Sequence, residues 1–152
     1  MGLHQVLLYV SDLATKAPLD TVATIARQSR VNNERKGITG LLVFDGECFA
    51  QFLDGPTESI AALQEHLKAD RRHERMEVLH SGPHAGVPRF PGWRLGYLLM
   101  DLQEFGLASL RGKRDAAAME AFEFMLPALD ISVGEDIPRD RIESAKAQRR
   151  HS

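Results

Sequence analysis

Two apolar runs, Ile38–Phe44 and Cys48–Leu53, are joined by Asp45-Gly46-Glu47. An Asp-Gly pair between β-rich runs signals a tight hairpin, because the reversal needs positive φ, which glycine adopts at little steric cost. Alternation along the return strand sets Cys48, Ala50 and Phe52 on one side and Phe49, Gln51 and Leu53 on the other. In the strand near the N-terminus, Val6, Leu8 and Val10 oppose Leu7 and Tyr9. Both faces are mainly apolar. Such a sheet needs a covering layer on each side, from its own chain or from a second subunit.

The remaining segments supply those layers. Residues 3–10 read as a strand, turned by Ser11-Asp12. A helix is expected over 18–31, with Leu19, Val22, Ala23 and Ala26 at helical spacing, Ile25 at the stripe's edge and Pro18 at the start. The polar run Asn32–Lys36 and Gly37 close it. Asp54-Gly55-Pro56 opens a second helix whose inner stripe is Ile60, Leu63, Gln64 and Leu67. Met76–His80 is a strand, Pro83–Pro91 a loop, and Trp93–Met100 a fifth strand. The order βαββαβ plus one strand predicts an α+β, ferredoxin-like fold with two helices on one sheet face. An apolar-rich helix over 113–129, carrying Met119, Phe122, Met125, Leu126 and Leu129, is expected on the other face. Residues 134–152 are polar and read as a frayed helix or tail. The expected division is a domain over 1–100 and a helical extension over 101–152, packed on the sheet or in a dimer interface.

Composition narrows the function. At 152 residues the chain is sized for one domain. Nineteen basic against 21 acidic residues leave a net charge of -2, which argues against a nucleic-acid binder relying on bulk positive charge. No apolar run approaches the ~20 residues of a membrane helix, and no secretory signal is expected at the start, which lacks a basic region followed by a long apolar stretch. The single Cys48 excludes an internal disulfide and suits a reducing cytoplasm. His80 and His84 have no convincingly spaced third ligand, so no metal is expected.

Gln51 stands between Phe49 and Leu53 on a face that should be buried. A buried amide left unpaired costs about 1–3 kcal/mol, so Gln51 needs partners. The plainest reading is a pairing with backbone or with a tyrosine. Tyr9 lies on a strand of the same sheet and can face the same helices. Asn33, at the end of the first helix, can also reach inward.

At this point the chain resembles a family. Leu-Leu-Tyr-Val-Ser (7–11), Asn-Asn-Glu-Arg-Lys-Gly-Ile-Thr-Gly-Leu-Leu (32–42), Phe-Ala-Gln-Phe-Leu-Asp-Gly-Pro (49–56), Asp-Arg-Arg-His (70–73) and Arg-Phe-Pro-Gly-Trp (89–93) follow one another in the order and spacing of the BLUF domain, the blue-light sensor using flavin. The resemblance covers about residues 3–100. It implies the fold already read from the pattern, and a flavin bound non-covalently: FAD, with FMN or riboflavin as alternatives. By resemblance, Tyr9 is the electron-donor tyrosine and Gln51 the switching glutamine. Asn33 and its neighbour Asn32 meet the polar edge of the flavin, Ile25 and Leu67 sandwich its ring, and Arg72 contacts its phosphate. Phe49 is expected to help form the ring's apolar surroundings. Trp93 matches the family's mobile tryptophan. Two residues further on, where the family usually has methionine, Leu95 keeps volume and apolarity but not the thioether.

The implied activity is photosensory, not enzymatic. Light drives electron and proton transfer from Tyr9, and Gln51 resettles its hydrogen bonds to give a red-shifted state. The signal is expected to pass through Trp93–Met100 to the C-terminal helix or an unidentified partner protein. No output domain is expected in the 52 residues after Met100, and a homodimer or higher homo-oligomer is expected. Cys48 falls on the opposite face from Gln51, which argues against a cysteinyl–flavin adduct. Two rivals stand beside this reading. An acylphosphatase-like enzyme needs a glycine-flanked arginine loop after the first strand, which the chain lacks. A chromophore-free interaction module has no use for the Tyr9, Asn33 and Gln51 set, and would be colourless when purified.

Overall fold

The Asp45-Gly46 reversal forms, with Gly46 at φ 96°. It joins β2 (Thr39–Phe44) to β3 (Cys48–Pro56) in an antiparallel pair that sets Phe44 opposite Phe49 and Leu42 opposite Gln51. The computed structural model describes residues 3–18, 20–84, 96–99, 106–125 and 130–133. Around the hairpin lie β1 (His4–Leu13), α1 (Thr21–Lys36), α2 (Thr57–Ala69), β4 (His73–His84), β5 (Gly96–Leu99), α3 (Asp115–Met125) and β6 (Asp130–Val133). They build one sheet in the order β4-β1-β3-β2-β5-β6. β5 runs parallel to β2, and the other neighbours are antiparallel. The first four strands and two helices give the expected α+β architecture.

Several boundaries shift for physical reasons. α1 starts at Thr21 and runs through the polar segment to Lys36, because nothing in Asn32–Lys36 breaks a helix. It stops at Gly37, whose φ of 69° is left-handed and whose N–H returns to the Asn33 carbonyl. Asp54, Gly55 and Pro56 remain in β3, opposite Val6, Gln5 and His4. A Cβ on Gly55 would lie 2.9 Å from Ile38 Cγ1, so the close approach there needs glycine. β4 extends well beyond 76–80 because it pairs along nearly all of β1, with register shifts at Leu8/Tyr9 and Val10/Asp12. Pro83, expected in a loop, sits in this strand; β4 is an edge, the place in a sheet where proline is tolerated because only one side of the strand is paired. β6 and the 3-10 turn Leu107–Leu110 were not expected from the sequence. Leu19, Trp93, Leu95, Leu126, Leu129 and 134–152 lie outside the described residues.

Both sheet faces are covered. On the back, Val6, Leu8, Val10, Ala50 and Phe52 pack with Leu107, Leu110, Ala118, Phe122 and Met125. The rings of Phe52 and Phe122 stack at 6.5 Å with an interplanar angle of 21°. The extension is also held by polar bonds. Asp45 Oδ1 accepts the N–H groups of Glu47 (3.0 Å) and Cys48 (2.7 Å), and its Oδ2 accepts that of Leu107 (2.8 Å). Arg111 pairs with Asp12 at 2.9 Å, and Glu77 accepts from Gly112 N (2.7 Å) and Arg114 Nη1 (2.7 Å). On the front, α1 covers Leu42, Phe44 and Phe49 through Val22 and Ala26, while Ile60 of α2 packs with Leu7, Tyr9, Ile38 and Leu53.

Candidate functional site

α2 buries fully only Ile60 of its four-residue inner stripe; Leu63, Gln64 and Leu67 stay partly open. Leu63 and Leu67 open onto a cleft of about 540 Å³ between α1, α2 and β3. Its floor carries Gln51. Ile25 contributes to one side, and Leu63 and Leu67 to the other. Asn32, Asn33 and Lys36 line the end near the C-terminus of α1, and Gln28, Asp70 and Arg72 line the opposite end. Six of the residues singled out from the sequence, Ile25, Asn32, Asn33, Gln51, Leu67 and Arg72, thus line one cavity.

Tyr9 completes the floor from beneath. It is 4% exposed, sits directly opposite Gln51 in the β1–β3 register, and donates its O–H to Gln51 Oε1. Burial, reinforced by the negative charge of Asp70, pushes its phenol well above the ordinary tyrosine range, so it keeps its proton and acts as a donor. With Oε1 facing Tyr9, the amide NH₂ of Gln51 is the part available to a molecule in the cleft. The His73 ring meets Tyr9 edge-on at 6.1 Å. It is held by Nε2 donating to the Leu67 carbonyl (2.6 Å) and by Nδ1 at 2.8 Å from Ser11 Oγ.

At the rim, Asp70 grips Arg72. Arg72 Nε donates to both carboxylate oxygens (2.9 and 3.1 Å), Nη2 donates to Oδ2 (2.6 Å), and the Arg72 backbone N–H meets Oδ1 (3.0 Å). Arg72 Nη1 crosses to Gln28 Oε1 of α1 at 2.6 Å. The pairing holds the Asp70 carboxyl below the usual carboxylate range, chiefly through the hydrogen bond from Arg72.

Phe49 lies beside the cleft, not on its lining: it is 2% exposed and packs with Phe44, Leu42, Val22 and Ala26. Cys48 is on the back face, with Sγ 3.3 Å from Asp12 Oδ1. His80 faces Asp115 (3.0 Å) and His84 faces Asp54 (3.6 Å). Among the described residues no group of three His, Cys, Asp or Glu side chains is arranged to hold a metal. A second cavity of about 550 Å³, near the hairpin, is lined by Asp12, Arg75 and Arg111, which are already paired at 3.2 and 2.9 Å.

The sequence reading missed Gln28, Ser29, Lys36, Leu63, His66, Ala69 and Asp70 as lining residues. A signal was present. Ile25, Gln28, Ser29, Asn32, Asn33 and Lys36 fall at offsets of 3, 4, 7, 8 and 11, which is one face of a helix. A mostly polar stripe facing inward marks a surface turned to a ligand.

Two helix walls bearing aliphatic side chains, an amide floor backed by a phenol, and polar ends make a site for a planar cofactor with a hydrogen-bonding edge, as a flavin has. Residues 4–96 match the BLUF family, sensors of blue-light using FAD, and the chain belongs to that family. The matched domain is a blue-light sensor that uses a flavin. The photoactivated adenylate cyclase subunit beta of Euglena gracilis is 35% identical over 65 residues, covering 43% of this chain and 8% of that one. This chain therefore spans less than a tenth of that relative's length. Among solved structures, the dark state of BlrB, a BLUF protein, superposes with a TM-score of 0.61 at 29% identity, covering 84% of this chain and 89% of that one. A bacterial light-regulated adenylyl cyclase gives a TM-score of 0.61 at 25% identity, over 67% of this chain and 30% of that one.

Proposed function

We propose that Tyr9 and Gln51 form the photochemical switch and that Ile25, Leu67, Asn32, Asn33 and Arg72 hold the flavin, with Phe49 supporting the α1 side from behind. The observation that carries this reading is the Tyr9–Gln51 hydrogen bond at the floor of the cleft. When bound, flavin supplies the blue-light absorption and, in its excited state, a strong oxidant. Tyr9 is suited to give up an electron, because its O–H already points at Gln51 Oε1 and the phenol proton can leave along that bond. Gln51 both donates and accepts, so rotation or tautomerisation changes which atom meets Tyr9. An ionised glutamate only accepts and cannot make this exchange. Two pairings within a few kcal/mol of each other suffice for a switch.

FAD is the flavin proposed, with FMN and riboflavin as alternatives. Residues 1–100 form the sensor in this reading, and 101–152 form an extension that carries the signal, by way of Trp93 and Leu95, to a partner protein. The chain works by contact and not by catalysis. We place it in the cytoplasm; among the described residues no helix is long and apolar enough to cross a membrane. A homodimer is proposed through the exposed face of α3, where Phe124 is 71% exposed; chromatographic size measurement tests this. The deciding experiment is an absorbance spectrum before and after a blue flash. The wild-type protein should be yellow, shift to the red and recover in the dark. Gln51→Ala should stay yellow and lose the shift, and an unchanged photocycle in that variant refutes the assignment.

A further inference from the structure

The cleft has a cation at its rim whose charge is already neutralised. Arg72 has five N–H donors. Nε and one N–H of Nη2 are taken by Asp70, and one N–H of Nη1 by Gln28. Two donors are not used in these bonds and can still meet an oxygen. The full positive charge, however, is matched by a carboxylate in side-on contact at 2.6–3.1 Å. Of the other cations on the lining, Lys36 lies eight residues from Gln28 along α1, about 12 Å towards the asparagine end. His66 also lines the cleft, and the neighbouring Arg71 is exposed.

We propose that Asp70 sets the flavin selectivity of this cleft, by neutralising Arg72 so that a ligand's phosphate groups add little to affinity and the ring dominates binding. This deepens the flavin-binding reading and rests on it. A phosphate reaching the rim meets two N–H donors but also an adjacent carboxylate. Attraction to the guanidinium and repulsion from Asp70 then largely cancel, since both act over similar distances. Riboflavin, which carries no phosphate, forfeits little by comparison with FMN or FAD. The Gln28 contact holds the guanidinium in place, so that Arg72 does not swing away from Asp70 to meet the phosphate alone.

The test is equilibrium binding of riboflavin, FMN and FAD to flavin-stripped protein, read by quenching of flavin fluorescence, with no illumination cycle needed. Wild-type affinities for the three should agree within a few-fold. Asp70→Asn unmasks Arg72 and should favour FMN over riboflavin by roughly tenfold, an advantage that added salt reduces. Arg72→Gln leaves Asp70 uncompensated and should shift the ratio the other way. The double variant, which carries neither charge, should return close to the wild-type ratio, and it serves as the probe if either single variant folds poorly. A wild-type preference for FMN above tenfold, or a ratio that Asp70→Asn leaves unchanged, overturns the proposal while leaving flavin binding intact. Failure of the wild type to bind any of the three overturns both the functional reading and this inference.

Discussion

Asp45→Asn separates two jobs of one buried carboxylate. Asp45 is 0% exposed and serves the hairpin through Oδ1 and the C-terminal extension through Oδ2. An asparagine oxygen can replace Oδ1 and keep the Glu47 and Cys48 bonds. Its NH₂ must then face the Leu107 N–H, donor against donor. One charge-assisted bond of 2.8 Å is lost and a buried N–H is left unpaired, a cost of roughly 2 kcal/mol. For a chain of this size that lowers Tm by on the order of 5 °C. Asp45→Ala removes these three acceptor contacts together and should cost roughly twice as much. Urea unfolding measures the total, and amide hydrogen exchange locates it. In Asp45→Asn the Leu107 amide should lose protection while the Cys48 amide keeps it. If Asp45→Asn stays within about 0.5 kcal/mol of wild type with Leu107 equally protected, the carboxylate is not what pins the extension to the hairpin.

Phe122→Ala removes the ring stacked on Phe52 and should cost about 3–5 kcal/mol in urea unfolding; a loss below about 1 kcal/mol would mean that α3 is not anchored to the back face there. Gly40→Ala places a Cβ 2.2 Å from the Phe52 carbonyl oxygen and should destabilise by at least about 1–3 kcal/mol, whereas Gly82→Ala, whose nearest neighbour is the His80 side chain at 3.6 Å, should be nearly neutral. Acid should weaken the fold through Asp70. Its carboxyl is depressed in the folded state by Arg72, so its stabilising contribution is complete above the ordinary value of 3.8 and is lost as pH falls through the folded value. Asp70→Asn should therefore flatten the acid limb of a Tm-against-pH curve, and an unaltered limb would contradict that pairing.

The amino-acid sequence by itself determined the first five strands, their two-sided apolar character and the pair of helices, because these rest on local signals: period-two alternation, 3.6-residue spacing and an Asp-Gly reversal. Alternation alone set Gln51 and Cys48 on opposite faces, and the motif spacing pointed to the family; that Tyr9 shares Gln51's face was settled by the β1–β3 register. Boundaries were less legible. Asn32–Lys36 reads as a polar terminator yet continues the helix, and Asp54–Pro56 reads as a helix start yet completes a strand, since the ladder with β1 outweighs local preference. Only the tertiary structure decided which polar side chains meet. Tyr9 and Gln51 are 42 residues apart, Gln28 and Arg72 are 44, and Asp45 and Leu107 are 62. No local pattern encodes such pairings. They follow from strand register and from how two helices sit on the sheet, which only the packing of the whole chain sets.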